Sequence, residues 1–234
     1  MASRKAGYIL TGFLLSLIGF ILSFVGFATP YWLEPFNRDD EIVEIENLGM
    51  WQYCFSGYTA SRPGNQDMDI LGKRYTGCKW VFHREVYTIL PEICPVWFRI
   101  TQALISVDVV GSAFVSLMAL VFLCLNMCDA YPTAKEGKLY LIFGLISSIS
   151  GYICAAAVLV FGYFSDSKEW AIKEPLYYHL SWSYMFCVVG GGFSIFGGMF
   201  LLLASMQVKA LLKATKPNYK PTLELSTLTP TVRY

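Results

Sequence analysis

The sequence predicts an all-α transmembrane four-helix bundle carrying a small antiparallel β-sheet outside the membrane. Two observations on charge carry the bundle, and residue alternation carries the sheet. Of 234 residues, 55% are apolar and only 15% charged, unlike an average soluble domain. The charges are also confined, since no Asp, Glu, Lys or Arg occurs within 6–33, 109–128, 139–165 or 175–208. A helix needs about twenty residues to cross a hydrocarbon core of about 30 Å, and every gap reaches that length. Because the bilayer interior leaves backbone groups without water, each gap is expected to be helical.

In chain order, the expected organisation is a short terminus (1–6), a first span (7–29), a large loop (30–98) and a second span (99–128). A short loop (129–138), a third span (139–165), a small loop (166–178), a fourth span (179–208) and a tail (209–234) follow. The first span has signal-peptide traits: Arg4 and Lys5 precede it, and Gly26-Phe27-Ala28 has a small-x-small form. It is nevertheless too long for an h-region and lacks a polar stretch before the cut, so it is expected to remain as a span. Arg4, Lys5, Lys135, Lys138, Lys209, Lys213, Lys216 and Lys220 fall on one side and Lys168 and Lys173 on the other. The positive-inside rule makes the first side, with both termini, cytoplasmic. A formal net charge of +1 gives no reason to expect a nucleic-acid partner; the lipid bilayer is the expected one.

Within the spans, small residues recur at helical spacing. Gly12, Ser16, Gly19, Ser23 and Gly26 mark the first, Gly144, Ser148, Gly151, Ala155 and Gly162 the third, and Gly190, Ser194 and Gly198 the fourth. Steps of three and four return to one face, where small residues let helix backbones approach. Packing within the bundle is the expectation, with contacts between copies the alternative. Asp108 stands at the edge of the second charge gap, and is expected at the outer interface or bonded within the bundle.

The large loop reads as β-structure. Residues 41–54 and 75–82 alternate partially and are rich in β-formers, while 61–67 punctuate as a turn. Asp39, Asp40, Glu41, Glu44 and Glu46 form an acidic group there, read as a solvated edge that could also attract cations. In the tail, Pro217, Pro221 and Pro230 argue against a long helix and for disorder. Of seven cysteines, Cys54, Cys78 and Cys94 fall outside, where the compartment is oxidising. Cys54 and Cys78 edge the two β-like runs and are the favoured pair, with Cys94 left over. Closing that 25-residue loop is worth about 3.5 kcal/mol. Cys124 and Cys128, at the inner end of the second span, suit palmitoylation or remain inert thiols, and Cys154 and Cys187 read as packing residues.

Trp32, Gly49-Met50-Trp51, Cys54 and Cys78, in that order, resemble the extracellular signature of the claudins and their tetraspan relatives, which is Trp, Gly-Leu-Trp, Cys, Cys. Arg99 and the Cys124/Cys128 pair also fit. Gly77-Cys78-Lys79-Trp80-Val81 and Leu180-Ser181-Trp182-Ser183 are most similar to the invertebrate, insect-type branch. The likeness runs from residue 7 to about 208. Met50 replaces the usual Leu, a volume-conserving exchange, and the Cys54–Cys78 interval is longer than in vertebrate claudins.

The resemblance implies a left-handed bundle and a structural role in septate or tight-type junctions. There, extracellular loops associate in cis and trans with the same or other claudins to limit paracellular diffusion. Phe55, Tyr58, Phe164, Trp170 and Tyr177 are the expected trans contacts, with a place at the lipid interface the alternative for several of them. The ending Thr231-Val232-Arg233-Tyr234 places Val232 and Tyr234 where a PDZ scaffold could take them as an added strand. An auxiliary subunit of an ion channel, a myelin-type protein, or a cation-selective paracellular pore are the alternatives. No asparagine of the first loop heads an Asn-x-Ser/Thr sequon, which leans toward the claudin side. Only His83 and His179 are available, and neither zinc-type spacing nor a Gly-x-Ser-x-Gly elbow occurs. The chain is therefore expected not to be an enzyme and to use no cofactor or catalytic metal.

Overall fold

The computed structural model describes residues 2–36, 43–59, 74–87, 89–126, 134–166, 170 and 178–215. Long helices α1 (Ala2–Ala28), α4 (Val96–Asn126), α5 (Ala134–Phe164) and α6 (Trp182–Thr215) form the bundle. Each is long and apolar enough to cross a membrane. Contacts run between α1 and α6, α6 and α5, α5 and α4, and α4 and α1, closing a ring of four. Outward faces stay apolar: Leu10, Leu14, Ile18, Ile21 and Phe24 make an exposed stripe on α1, the pattern of a helix solvated by lipid.

The small-residue stripes bring backbones together within the molecule. A Cβ on Gly19 would stand 2.9 Å from the Gly190 carbonyl oxygen, and one on Gly144 2.9 Å from that of Gly198. Hydroxyls tie the three helices further, with Ser16 Oγ 3.0 Å from Ser147 Oγ, and Ser147 Oγ donating to the Ser194 carbonyl at 2.9 Å. At Gly151 an added Cβ would lie 2.6 Å from the Gly191 carbonyl and 2.9 Å from the Ile195 amide nitrogen. Main chain cannot swing aside as a side chain can. Gly151→Leu is expected to spread α5 from α6 at a cost of about 1–3 kcal/mol, lowering the Tm of the detergent-purified protein. Gly192→Ala, with nothing within 4 Å of the added carbon, should leave that Tm unchanged.

Above the bundle, a five-stranded antiparallel sheet has the order β4-β3-β2-β1-β5. The strands are β1 (Leu33–Pro35), β2 (Ile45–Leu48), β3 (Gln52–Thr59), β4 (Arg74–Trp80) and β5 (Tyr178–Leu180). Short helices α2 (Arg84–Tyr87) and α3 (Leu90–Ile93) lead into α4. The β-like run at 41–54 is broken at Gly49, where a Cβ would fall 2.4 Å from the Pro30 Cα. The Gly49 amide donates to the Gln52 carbonyl at 2.9 Å, turning β2 back into β3.

Helix ends depart from the charge gaps. Both α5 and α6 continue past the gap boundaries remote from the sheet, to residues 134 and 215, since long lysine side chains such as Lys209 and Lys213 reach water from an apolar stem. The tail expected from 209 thus opens with helix, which stops two residues before Pro217, as the restriction on pre-proline residues favours. At the outer side, 178–180 form β5 and not the start of the fourth span.

Candidate functional site

The signature residues meet where the sheet stands on the bundle. Trp32 is fully buried, and its indole Nε1 donates to the Gly26 carbonyl at 2.7 Å, satisfying its one polar atom. Its ring meets Phe161 of α5 edge-on at 4.8 Å and Tyr184 of α6 at 5.7 Å. Met50 is equally enclosed, and its carbonyl accepts from Gln102 Nε2 of α4 at 2.6 Å. Trp51 is half-buried, meeting Phe27 of α1 at 5.4 Å and stacking on Phe82 at 5.8 Å. Trp32 and the turn at 49–51 together therefore touch all four long helices.

Cys54 and Cys78 are direct cross-strand neighbours on β3 and β4, and they form a disulfide. Cys94, buried and free, donates to Gln102 Oε1 at 3.6 Å. Burial pushes its thiol above the ordinary range, only partly opposed by the nearby Tyr53 hydroxyl and Arg99 guanidinium. Burial likewise holds the Tyr53 phenol well above its usual value. Buried and with its thiolate disfavoured, Cys94 should stay unlabelled by an impermeant maleimide in the folded protein. Comparing the wild type with Cys94→Ala, before and after denaturation, checks this. Arg99 is exposed, and its Nε donates to the Cys94 carbonyl at 3.1 Å, closing the step from α3 into α4.

Three of the five expected trans contacts are corrected. Phe55 and Tyr58 are each 1% exposed and Trp170 is 4% exposed. The register of β3 slips between Phe55 and Tyr58, around Gly57. A bulge adds a residue, so two side chains three apart share one face. Phe55, Tyr58 and Tyr75 pack there with ring centroids 5.7–6.4 Å apart. Trp170 reaches inward from the second loop, donating through Nε1 to the Ile93 carbonyl at 2.8 Å, with its ring 4.9 Å from Trp97. Phe164 is 37% exposed and stacked on Trp97 at 5.7 Å, so part of it faces outward. Tyr177, Cys128, Val232 and Tyr234 lie outside the described residues, as does the Cys124 side chain.

The small loop also joins the sheet, which the sequence did not suggest. Leu33, Glu34 and Pro35 pair with Leu180, His179 and Tyr178. The Ser181 amide donates to the Trp32 carbonyl at 3.0 Å, and the Ser181 hydroxyl bonds Glu34. Three residues are too few for a periodic signal, and β5 exists because β1 offers an edge. Asp108 is enclosed in the bundle, not at the outer interface, facing Ser23 and Cys154 without a close hydrogen bond. Because α4 starts at Val96, Asp108 lies about 18 Å along its axis. No group of three metal-ligating side chains occurs among the described residues.

A family model described as PMP-22/EMP/MP20/Claudin tight junction matches residues 17–203. No curated protein matches the chain.

Proposed function

The chain belongs to the PMP-22/EMP/MP20/claudin family, and from that premise we propose that it builds lateral cell–cell junctions and limits diffusion between epithelial cells. It is a multi-pass, tetraspan membrane protein. The observation that supports the junction reading best is the union of both extracellular loops in one disulfide-bonded sheet seated on the bundle. A seal needs a stiff surface outside the membrane, and little else. Conformational entropy surrendered on contact is smaller when the surface is ordered beforehand.

In this reading both termini are cytoplasmic, and the sheet meets further copies or related chains in cis and trans. Gly77-Cys78-Lys79-Trp80-Val81 favours a septate-type junction. The contact surface passes from the buried aromatics to Phe164 and to Phe36, which is 70% exposed at the end of β1. Palmitoylation at Cys124 and Cys128, and capture of Val232 and Tyr234 by a PDZ scaffold, belong to the same proposal as ways of holding the protein at the contact.

Depleting the protein from its native epithelium, with a small extracellular tracer as readout, tests the reading. The tracer is expected to cross faster, and the tagged protein to concentrate at lateral contacts. An unchanged barrier with evenly spread protein rejects the junction role, and an altered current in a co-expressed channel would move it to channel regulation.

A further inference from the structure

One exposed apolar surface is left unused by any contact described above. It lies where β3 and β4 come down onto the bundle. The Met50 carbonyl is bonded to Gln102, which lies about 9 Å along α4 from Val96 at 1.5 Å per residue. The turn at 50–51 therefore sits beside the outer turns of α4. Trp51 rests on Phe27, in the last turn of α1, at the same level. Stacked on Trp51, Phe82 still exposes 77% of its surface; Trp80 exposes 58% and Val96 72%. Val96 is also the outermost member of the apolar stripe that Ile100, Val107 and Val110 continue down α4.

We propose that Trp80, Phe82 and Val96 form a ledge immersed in the outer leaflet, binding phospholipid at the level of its glycerol and upper acyl carbons. Of its three members, Val96 already heads the exposed apolar stripe of α4 that faces lipid. Aromatic rings partition to that level of a bilayer, whereas water would charge the apolar surface about 25 cal/mol for each Å² left exposed. Arg99, exposed one turn into α4, turns its guanidinium back toward the outer end of the helix, its Nε donating to the Cys94 carbonyl at 3.1 Å, and so offers a cation toward the lipid phosphates. The sheet is then steadied from beneath by lipid as well as by helices. This is independent of what the sheet meets on another cell.

The test uses the full chain in vesicles of dioleoylphosphatidylcholine, with part of that lipid replaced by phosphatidylcholine brominated at shallow acyl carbons. Phe82→Trp adds a fluorophore at the ledge and Trp80→Phe removes one, so each position is read as a difference from wild type. Brominated lipid is expected to lower both difference signals by about two-fold or more, as for rings at the glycerol level, with little effect from aqueous iodide. Quenching by iodide and not by brominated lipid would overturn the proposal by placing the ledge in water. Resistance to both quenchers also overturns it, because protein then covers the surface. If Trp80→Phe does not reconstitute, Phe82→Trp decides alone, since it keeps an aromatic ring at an exposed position.

Discussion

Exchanging Cys54 for serine is expected to keep the protein from the cell surface. The bond joins β3 to β4 across a single register position, and it closes the connection between them, residues 60–73. Removing it returns about 3.5 kcal/mol of chain entropy to the unfolded state, a large part of a typical folding free energy of about 5–15 kcal/mol. Among the described residues β4 is at the sheet edge, with β3 as its single strand neighbour, so no second ladder among them holds it. Surface biotinylation should find most Cys54→Ser protein retained inside the cell. Cys54→Ser/Cys78→Ser should be no worse than the single variant, and better if an unpaired Cys78 misbonds. Normal surface delivery of either variant would show that β4 is held by packing alone.

Trp170→Ala is expected to cost about 3–5 kcal/mol, the usual penalty for removing a large buried aromatic. Its ring fills the space between Trp97, Phe98 and Phe161, and its indole nitrogen is bonded to the Ile93 carbonyl. Loss of the side chain detaches the small loop from the base of the large one. The readouts are a lower Tm in detergent and faster external proteolysis within 166–178. Trp170→Phe should fall between, keeping most of the ring contact while leaving a buried carbonyl unpaired at about 1–3 kcal/mol. Unchanged Tm and proteolysis in Trp170→Ala, with weakened cell–cell association, would restore this tryptophan to the surface role its charged neighbours suggest.

That reversal marks the boundary of what could be read from residue order. Charge exclusion from hydrocarbon is a one-dimensional rule, so 6–33, 109–128, 139–165 and 175–208 reveal four spans without knowledge of their neighbours. The glycine and serine stripes are equally local, and the seams they predict are the seams that form. Phe55 and Tyr58 defeat the same kind of reasoning, because alternation is counted from a register that the irregularity around Gly57 displaces. Trp170 defeats it differently. Lys168, Glu169, Lys173 and Glu174 suggest a wet loop, yet the pocket that receives the ring is assembled from residues more than seventy positions earlier in the chain and from α5. Asp108 was read from the edge of a charge gap, but the helix that carries it begins twelve residues before it.

The pairing of β5 with β1 limits how this molecule can be taken apart and recombined. A chimera that exchanges 166–181 for the corresponding segment of another chain does not swap an independent module. The incoming segment must present a strand that matches Leu33, Glu34 and Pro35 in register, or the graft leaves β1 as an open edge able to recruit strands from other chains. The two loops are thus one inherited unit, and a change of specificity in either has to be tolerated by the other.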